Sequence, residues 1–182
     1  MPKPLTFRIS SELKTIIGKE LITDDFIAVL ELVKNSYDAK ARKVEVIFNH
    51  VKDQSQGRIF VKDDGDGMSY NDLVSKWLLV AHSKKAETEE DLKARDHRAR
   101  TTRKRIFAGA KGIGRFSCDR LGRRLNLYSK KRGEIQFHIL EMDWDKFEQD
   151  PSREFQTIEV TYHSAQRLDI EIDTRGFTKG TI

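Results

Sequence analysis

The sequence predicts an α+β domain, with helices early and an antiparallel sheet late. Three observations carry this. "TDDFIAVLELVKNSYDAKA" (23–41) repeats its apolar residues with a helical period. "KVEVIF" (43–48) and "GRIFVKD" (57–63) alternate as strands around the polar turn "NHVKDQSQ". The last third alternates almost throughout, in "RRLNLYSKK", "EIQFHILEMDW", "QTIEVTYHS" and "LDIEIDT", with turns at "KRGE" and "HSAQ".

Taken in order, "LTFRIS" (5–10) reads as a short strand, and "SELKTIIG" as one or two helical turns ended by Gly18. The helix over 23–41 has Thr23 or Asp24 to cap it, acids in its first turn, and Lys40 and Arg42 at its end. On a wheel at about 100° per residue, Phe26, Val29, Leu30, Leu32, Val33 and Tyr37 fill one broad arc, expected to lie on the sheet. Glu31, Asn35 and Asp38 occupy the other side within roughly 60°, flanked by Ile27 and Ala28. "DDGDG" (63–67) is a loop, and "SYNDLVSKWLLVA" (69–81) a helix with a capping box of Ser69 and Asp72. Residues 82–108 are highly charged and aperiodic, a long excursion of the kind that is functional or disordered. "GAKGIGRFSCDRLG" (109–122) is a glycine turn running into a helix. The chain closes on "FTKGTI" as a further strand begins, so it is expected to be the N-terminal piece of something longer. Residues 1–182 form one domain, without internal repeat or Pro/Gly/Ser-rich linker.

Composition excludes several classes. The chain has 182 residues, 37 % apolar and 35 % charged, with a mean hydropathy of −0.63: too many Phe, Ile, Leu and Val for a disordered protein. One cysteine, Cys118, excludes an internal disulfide framework and fits a reducing, cytoplasmic setting. No apolar run is long enough to span a bilayer, and "MPKPLTFRIS" has no signal-peptide core, so no membrane partner is expected. The net charge of +5 hides an asymmetry: from His82 to Arg132 there are 17 Lys/Arg against 6 Asp/Glu, and 17 against 23 elsewhere. A basic segment in an otherwise acidic chain suits an anionic partner: nucleic acid, a membrane surface or a polyphosphate nucleotide.

Three motifs can carry chemistry. In the stripe Glu31–Asn35–Asp38, an amide oxygen suits a hard cation such as Mg²⁺ and a nearby carboxylate can take a proton from water; a solvated polar face is the plain alternative. "VKDDGDGM" (61–68) puts an acid at a strand end, then two glycines that remove Cβ atoms from the backbone beside it. Such a carboxylate can accept from an exocyclic amine. A calcium loop fails, since alternation from Asp64 reaches Met68 and position twelve is Ser75. "GAKGIGRFS" (109–117) spaces glycines so that backbone N–H groups can approach phosphate at a helix N-terminus, with Lys111 as a cation. It is neither a Walker A loop nor a Rossmann fingerprint.

In their order and spacing these motifs resemble the GHKL superfamily of ATP-binding domains: DNA gyrase B, the ninety-kilodalton heat-shock chaperones, histidine kinases and MutL. "ELVKNSYDA" resembles the N box, "VKDDGDGM" the D-x-G-x-G box and "GAKGIGRFS" the second glycine box, over essentially the whole chain. "KWLLVAHSKK" and "KGIGRF" look closest to microrchidia-type and bacterial chaperone-like ATPases. The resemblance implies a Bergerat-type two-layer sandwich, helices on one face of a mixed, mostly antiparallel sheet, with residues 82–108 as the ATP lid. It implies Glu31 as the general base for hydrolysis, Asn35 as ligand to Mg²⁺, and Asp38 in the polar network of the site. Asp63 would meet the adenine amine, with Gly65, Gly67 and Met68 shaping the base pocket and Thr181 supporting Asp63 through water. Ser83, Lys84, Gly109, Lys111, Gly112, Ile113, Gly114, Arg115 and Phe116 would hold or enclose the phosphates. ATP and Mg²⁺ are the implied cofactors, and a homodimer of the ATP-bound form the implied assembly. Two departures stand out: Asp64 where Asn is common, and His82 where Gly is frequent. The lysine that many members supply from a following domain is not among residues 1–182, which implies slow hydrolysis by these residues.

Three other functions compete. Histidine kinases typically lack a water-activating acid at the position of Glu31, and none of the five histidines sits in an obvious phosphoacceptor helix context. A nucleic-acid module would use Arg95 to Arg105, binding without ATP and weakening steeply with salt. A nucleotide-gated scaffold would dimerise on ATP whether or not Glu31 is present. Downstream domains would bring nucleic acid or a protein client.

Overall fold

The computed structural model describes residues 22, 24–53, 55–79, 116–148, 154 and 159–182. The expectations for 5–18, for the excursion 82–108 and for 109–115 lie outside them. Helix α1 spans Asp25–Asp38, and Asp24 is its cap, its carboxylate accepting from Phe26 N at 2.6 Å. Lys40, in the left-handed region at φ 63°, ends it. Strands β1 (Val44–Asn49) and β2 (Arg58–Asp63) pair antiparallel, with Val44 opposite Asp63 and Asn49 opposite Arg58.

Helix α2 begins at Tyr70–Asp72 and runs on into a π-helical stretch, Leu73–Trp77. The expected capping box is present, and the helix stops at Trp77, earlier than its apolar pattern implies. Then come α3 (Ser117–Leu121), β3 (Arg124–Lys130), β4 (Phe137–Asp143), α4 (Asp145–Glu148), β5 (Thr161–Ala165) and β6 (Gly180–Thr181). These four strands form one sheet in the order β5-β4-β3-β6, every ladder antiparallel.

One sheet face carries Leu125, Leu127 and Ser129 of β3 opposite Met142, Leu140 and His138 of β4. Apolar side chains fill it: Leu73 packs with Leu127 and Leu140, and Phe116 with Met142 and Trp144, Trp77 touching both groups. Burying π-stretch residues on a sheet secures a backbone form that is rare by itself. On the other face Phe137 stacks on Phe177 and lies under Lys130.

Three expectations change. First, α1 is turned by roughly 100°, little more than a quarter of a revolution. Its packed row is Ala28, Leu32 and Ser36, with Ala28 and Ser36 buried, whereas Phe26 is 85 % and Leu30 56 % exposed and Tyr37 lies outward too. Small residues let the helix approach closely, and Ser36 finds a buried partner that an apolar side chain could not satisfy. Second, "LDIEIDT" forms no strand. Its burial does alternate, but ladder bonds require a neighbouring edge as well as a buried side, and the described residues offer 168–174 none. Third, β5 runs through Ala165, so the chain turns after "HSA", not within it. No helix among the described residues is long and apolar enough to cross a membrane.

Asp72 ties α2 to the sheet. Its carboxylate accepts from Ser69 N and Oγ, from Lys76, and from Lys131 Nζ at 2.7 Å. Burial pushes its pKa up, but the bonds from Lys131, Lys76 and Ser69 outweigh this and leave the carboxyl well below its usual range. A depressed folded pKa means stability present above the unfolded value and lost as pH falls through the folded one. Asp72→Ala should therefore destabilise the domain by about 1–3 kcal/mol at pH 7. Thermal unfolding should show the gap to wild type closing as pH falls below about 3.8.

Candidate functional site

The site is built around the last residue of β2. Asp63 is 6 % exposed, and three elements converge on its carboxylate. From α1, Ser36 Oγ donates to Oδ2 at 2.9 Å; from the following loop, Gly65 N donates to Oδ1 at 2.8 Å; from β6, Thr181 N donates to Oδ1 at 3.2 Å. Burial is the largest influence on the carboxyl and raises its pKa, opposed by these three bonds. A carboxylate offers about four acceptor positions. Three are taken by the protein, so one remains for an external N–H donor.

The "DDGDG" loop is fixed at both ends. Asp66 N donates to Ala39 O at 2.7 Å, and Lys40 Nζ meets Asp66 Oδ2 at 2.8 Å. Asp64, the residue found where Asn is common, accepts from Arg42 N and Lys43 N at 2.7 and 2.9 Å. Those bonds hold its carboxyl below the usual range and pin the loop to the chain leaving α1. Gly67 has φ 68°, and a Cβ there would lie 2.0 Å from Lys130 O; Gly180 has φ 122°, and its Cβ would lie 2.0 Å from Asp63 O. Only glycine allows loop, β3 and β6 to approach this closely.

Ser129 is the residue that motif reading missed. Fully buried, its Oγ accepts from Met68 N at 2.8 Å and lies 3.2 Å from Gly180 O and 3.0 Å from Thr181 Oγ1. It thus joins Met68 to β6. The only sequence signal was a hydroxyl at an inward position of the alternation Leu125–Leu127–Ser129.

Of the expected site residues, Asp63, Gly65, Gly67, Met68 and Thr181 are brought together. Thr181 meets Asp63 through its backbone, N donating to Oδ1. Glu31, Asn35 and Asp38 line the edge of α1 beside its packed row; Asn35 is exposed, and Glu31 Oε1 is paired with Lys34 Nζ at 2.5 Å. The side chain of Phe116 packs in the core against Trp144. Ser83, Lys84, Gly109, Lys111, Gly112, Ile113, Gly114 and Arg115 lie outside the described residues. A separate cavity of about 510 Å³, between α3 and α4, is lined by Asp119, Arg120, Arg123, Trp144 and Glu148 and contains none of the expected site residues.

Residues 23–174 match the family of histidine kinase-, DNA gyrase B- and HSP90-like ATPases. The chain belongs to this family. It is 43 % identical over 79 residues to the DNA mismatch repair protein MutL of Aquifex aeolicus, covering 43 % of this chain and 18 % of that protein. Identity to a putative type II restriction enzyme HgiDII of Herpetosiphon aurantiacus is 29 % over 129 residues, 70 % of this chain and 18 % of that one. For MutL of Thermosipho africanus it is 40 % over 63 residues, 32 % and 11 % of the two chains. The chain thus spans less than a fifth of each of these relatives. Two of these three relatives are MutL proteins; the microrchidia-type kinship suggested by "KWLLVAHSKK" is not among them.

Replacing Ser129 by Ala should strand buried groups of Met68 and β6, at a cost of about 1–3 kcal/mol by denaturant unfolding. Ser129→Thr keeps the hydroxyl and should recover part of that loss.

Proposed function

We propose that this domain binds ATP with Mg²⁺ and hydrolyses it slowly to ADP and phosphate. The observation that carries the reading is the fourth acceptor position on Asp63, buried at the end of β2 and suited to an exocyclic amine such as that of adenine. Membership of the ATPase family supports it.

Asp63 orients the base, held rigid by Ser36, Gly65 and Thr181, while Met68 borders the ring's position. Glu31 draws a proton from water attacking the terminal phosphate; Lys34, now on its Oε1, must yield part of that oxygen to the water. Asn35 fits the metal: an exposed amide oxygen on the edge of α1 is a hard donor. Among the described residues no cluster of three or more His, Cys, Asp or Glu exists to hold a metal by itself, so phosphate oxygens would complete the shell. Bound there, Mg²⁺ would neutralise phosphate charge. Glycines and cations of 109–115, with Ser83 and Lys84, would bind the phosphates. Dimerisation of the ATP-bound form of a longer protein is part of this proposal, as is a cytoplasmic location.

The names of the relatives, mismatch repair and restriction, favour a DNA-processing role for that longer protein. A nucleotide-gated scaffold is the alternative, in which ATP drives assembly and turnover is incidental. Size-exclusion measurements on Glu31→Ala with ATP separate turnover from assembly.

By calorimetry, Asp63→Asn should weaken ATP binding by about 100-fold or more, because it places an N–H where an acceptor is needed. Glu31→Ala should bind ATP nearly normally and lose about 100-fold or more in turnover. Unchanged affinity in Asp63→Asn would overturn the assignment. Binding should also fall at acid pH. Because Asp63 has a raised pKa, protonation begins above the ordinary carboxylate value of 3.8, and affinity drops as pH falls through the raised value. Stability moves the opposite way: this group's contribution is present below 3.8 and lost as pH rises through its folded pKa.

A further inference from the structure

We propose that the phenol of Tyr162 is an activated oxygen nucleophile, a modification site for acyl and sulfonyl donors that carry a good leaving group. Tyr162 pairs with Leu140 across β5 and β4, and His138 with Ser164, so Tyr162 and His138 are diagonal neighbours on one sheet face. His138 Nδ1 lies 3.0 Å from Tyr162 Oη, and its Nε2 lies 3.2 Å from Glu134 Oε2. The same Glu134 oxygen accepts from Lys131 N at 3.2 Å, which fixes the carboxylate.

Proton positions follow from the donors and acceptors present. The Glu134 carboxylate beside Nε2 attracts the ring hydrogen to that nitrogen. In the neutral ring Nδ1 is then the bare acceptor, and the Tyr162 hydroxyl must donate to it. Nucleophile and base are thus hydrogen-bonded, with the carboxylate 3.2 Å from the far nitrogen of the base, an arrangement by which a weak oxygen nucleophile is activated. Tyr162 is 40 % exposed and open to a reagent, while the His138 side chain is only 14 % exposed and little hydrated. Tyr70 stands edge-on to Tyr162, with ring centres 4.9 Å apart.

The step balances without a redox partner. Tyr162 Oη bonds to the acyl carbon or sulfonyl sulfur as the bond to the leaving group breaks. The phenol proton passes to His138 Nδ1, Glu134 stabilises the imidazolium, and the proton then goes to the leaving group. The products are the tyrosyl ester and the protonated leaving group.

Acetylation of the 182-residue chain by N-acetylimidazole, followed by peptide mass spectrometry, tests this. The four tyrosines, Tyr37, Tyr70, Tyr128 and Tyr162, report together. Tyr70, 48 % exposed, is the internal reference. Tyr162 should react about 10-fold faster than Tyr70 or more, and His138→Phe, which keeps a ring stacked on Tyr162 as His138 is (ring centres 6.1 Å apart), should slow Tyr162 by on the order of 100-fold while sparing Tyr70. Glu134→Gln should give a smaller loss at Tyr162. Equal wild-type rates at Tyr162 and Tyr70, or an unchanged Tyr162 rate in a folded His138→Phe, overturns the proposal. Should His138→Phe unfold, all four tyrosines react faster together, and the wild-type ratio then decides.

Discussion

Asp63 is buried and carries a carboxyl that water would otherwise solvate. Leaving such a group without partners costs several kcal/mol, so the fold around it is constrained to supply donors. They come from a helix, a loop and a strand that are far apart in sequence: Ser36, Gly65 and Thr181. Two glycines permit the approach. With a Cβ at Gly180, β6 could not lie against Asp63, and with one at Gly67 the loop could not lie against β3. The carboxylate and the two glycines therefore work as one constraint, which orders the junction between the small sheet and the large one.

Around that junction the other polar contacts fall into place. Ser129 joins Met68 to β6 on the inner side, while Asp64 and Asp66 fasten the loop to the chain leaving α1. Asp72 fastens the next helix to the end of β3 through Lys131.

The outward face of α1 belongs to the same balance. A helix with Phe26, Leu30 and Tyr37 on one side would ordinarily bury them, since that burial stabilises more than any single hydrogen bond. Here the row Ala28–Leu32–Ser36 is packed and the bulky row is not. Seating Ser36 on Asp63 fixes the rotation of the helix, and the polar stripe of Glu31 and Asn35 then lies beside the packed row.

Much was legible in the sequence because it depends on local physics. Alternation located β1 to β5 within a few residues, and cap chemistry placed the starts of α1 and α2. The spacing of "VKDDGDGM" singled out Asp63, Gly65 and Gly67, since a strand-end acid followed by glycines is a local signature. Tertiary structure decided what depends on partners: which side of α1 packs, that 168–174 forms no strand despite its alternation, and that Ser129 completes the network. Periodicity reports how many sides of an element are buried. It does not say which neighbour lies there, and a buried serine becomes meaningful only beside the amide of Met68 and the hydroxyl of Thr181.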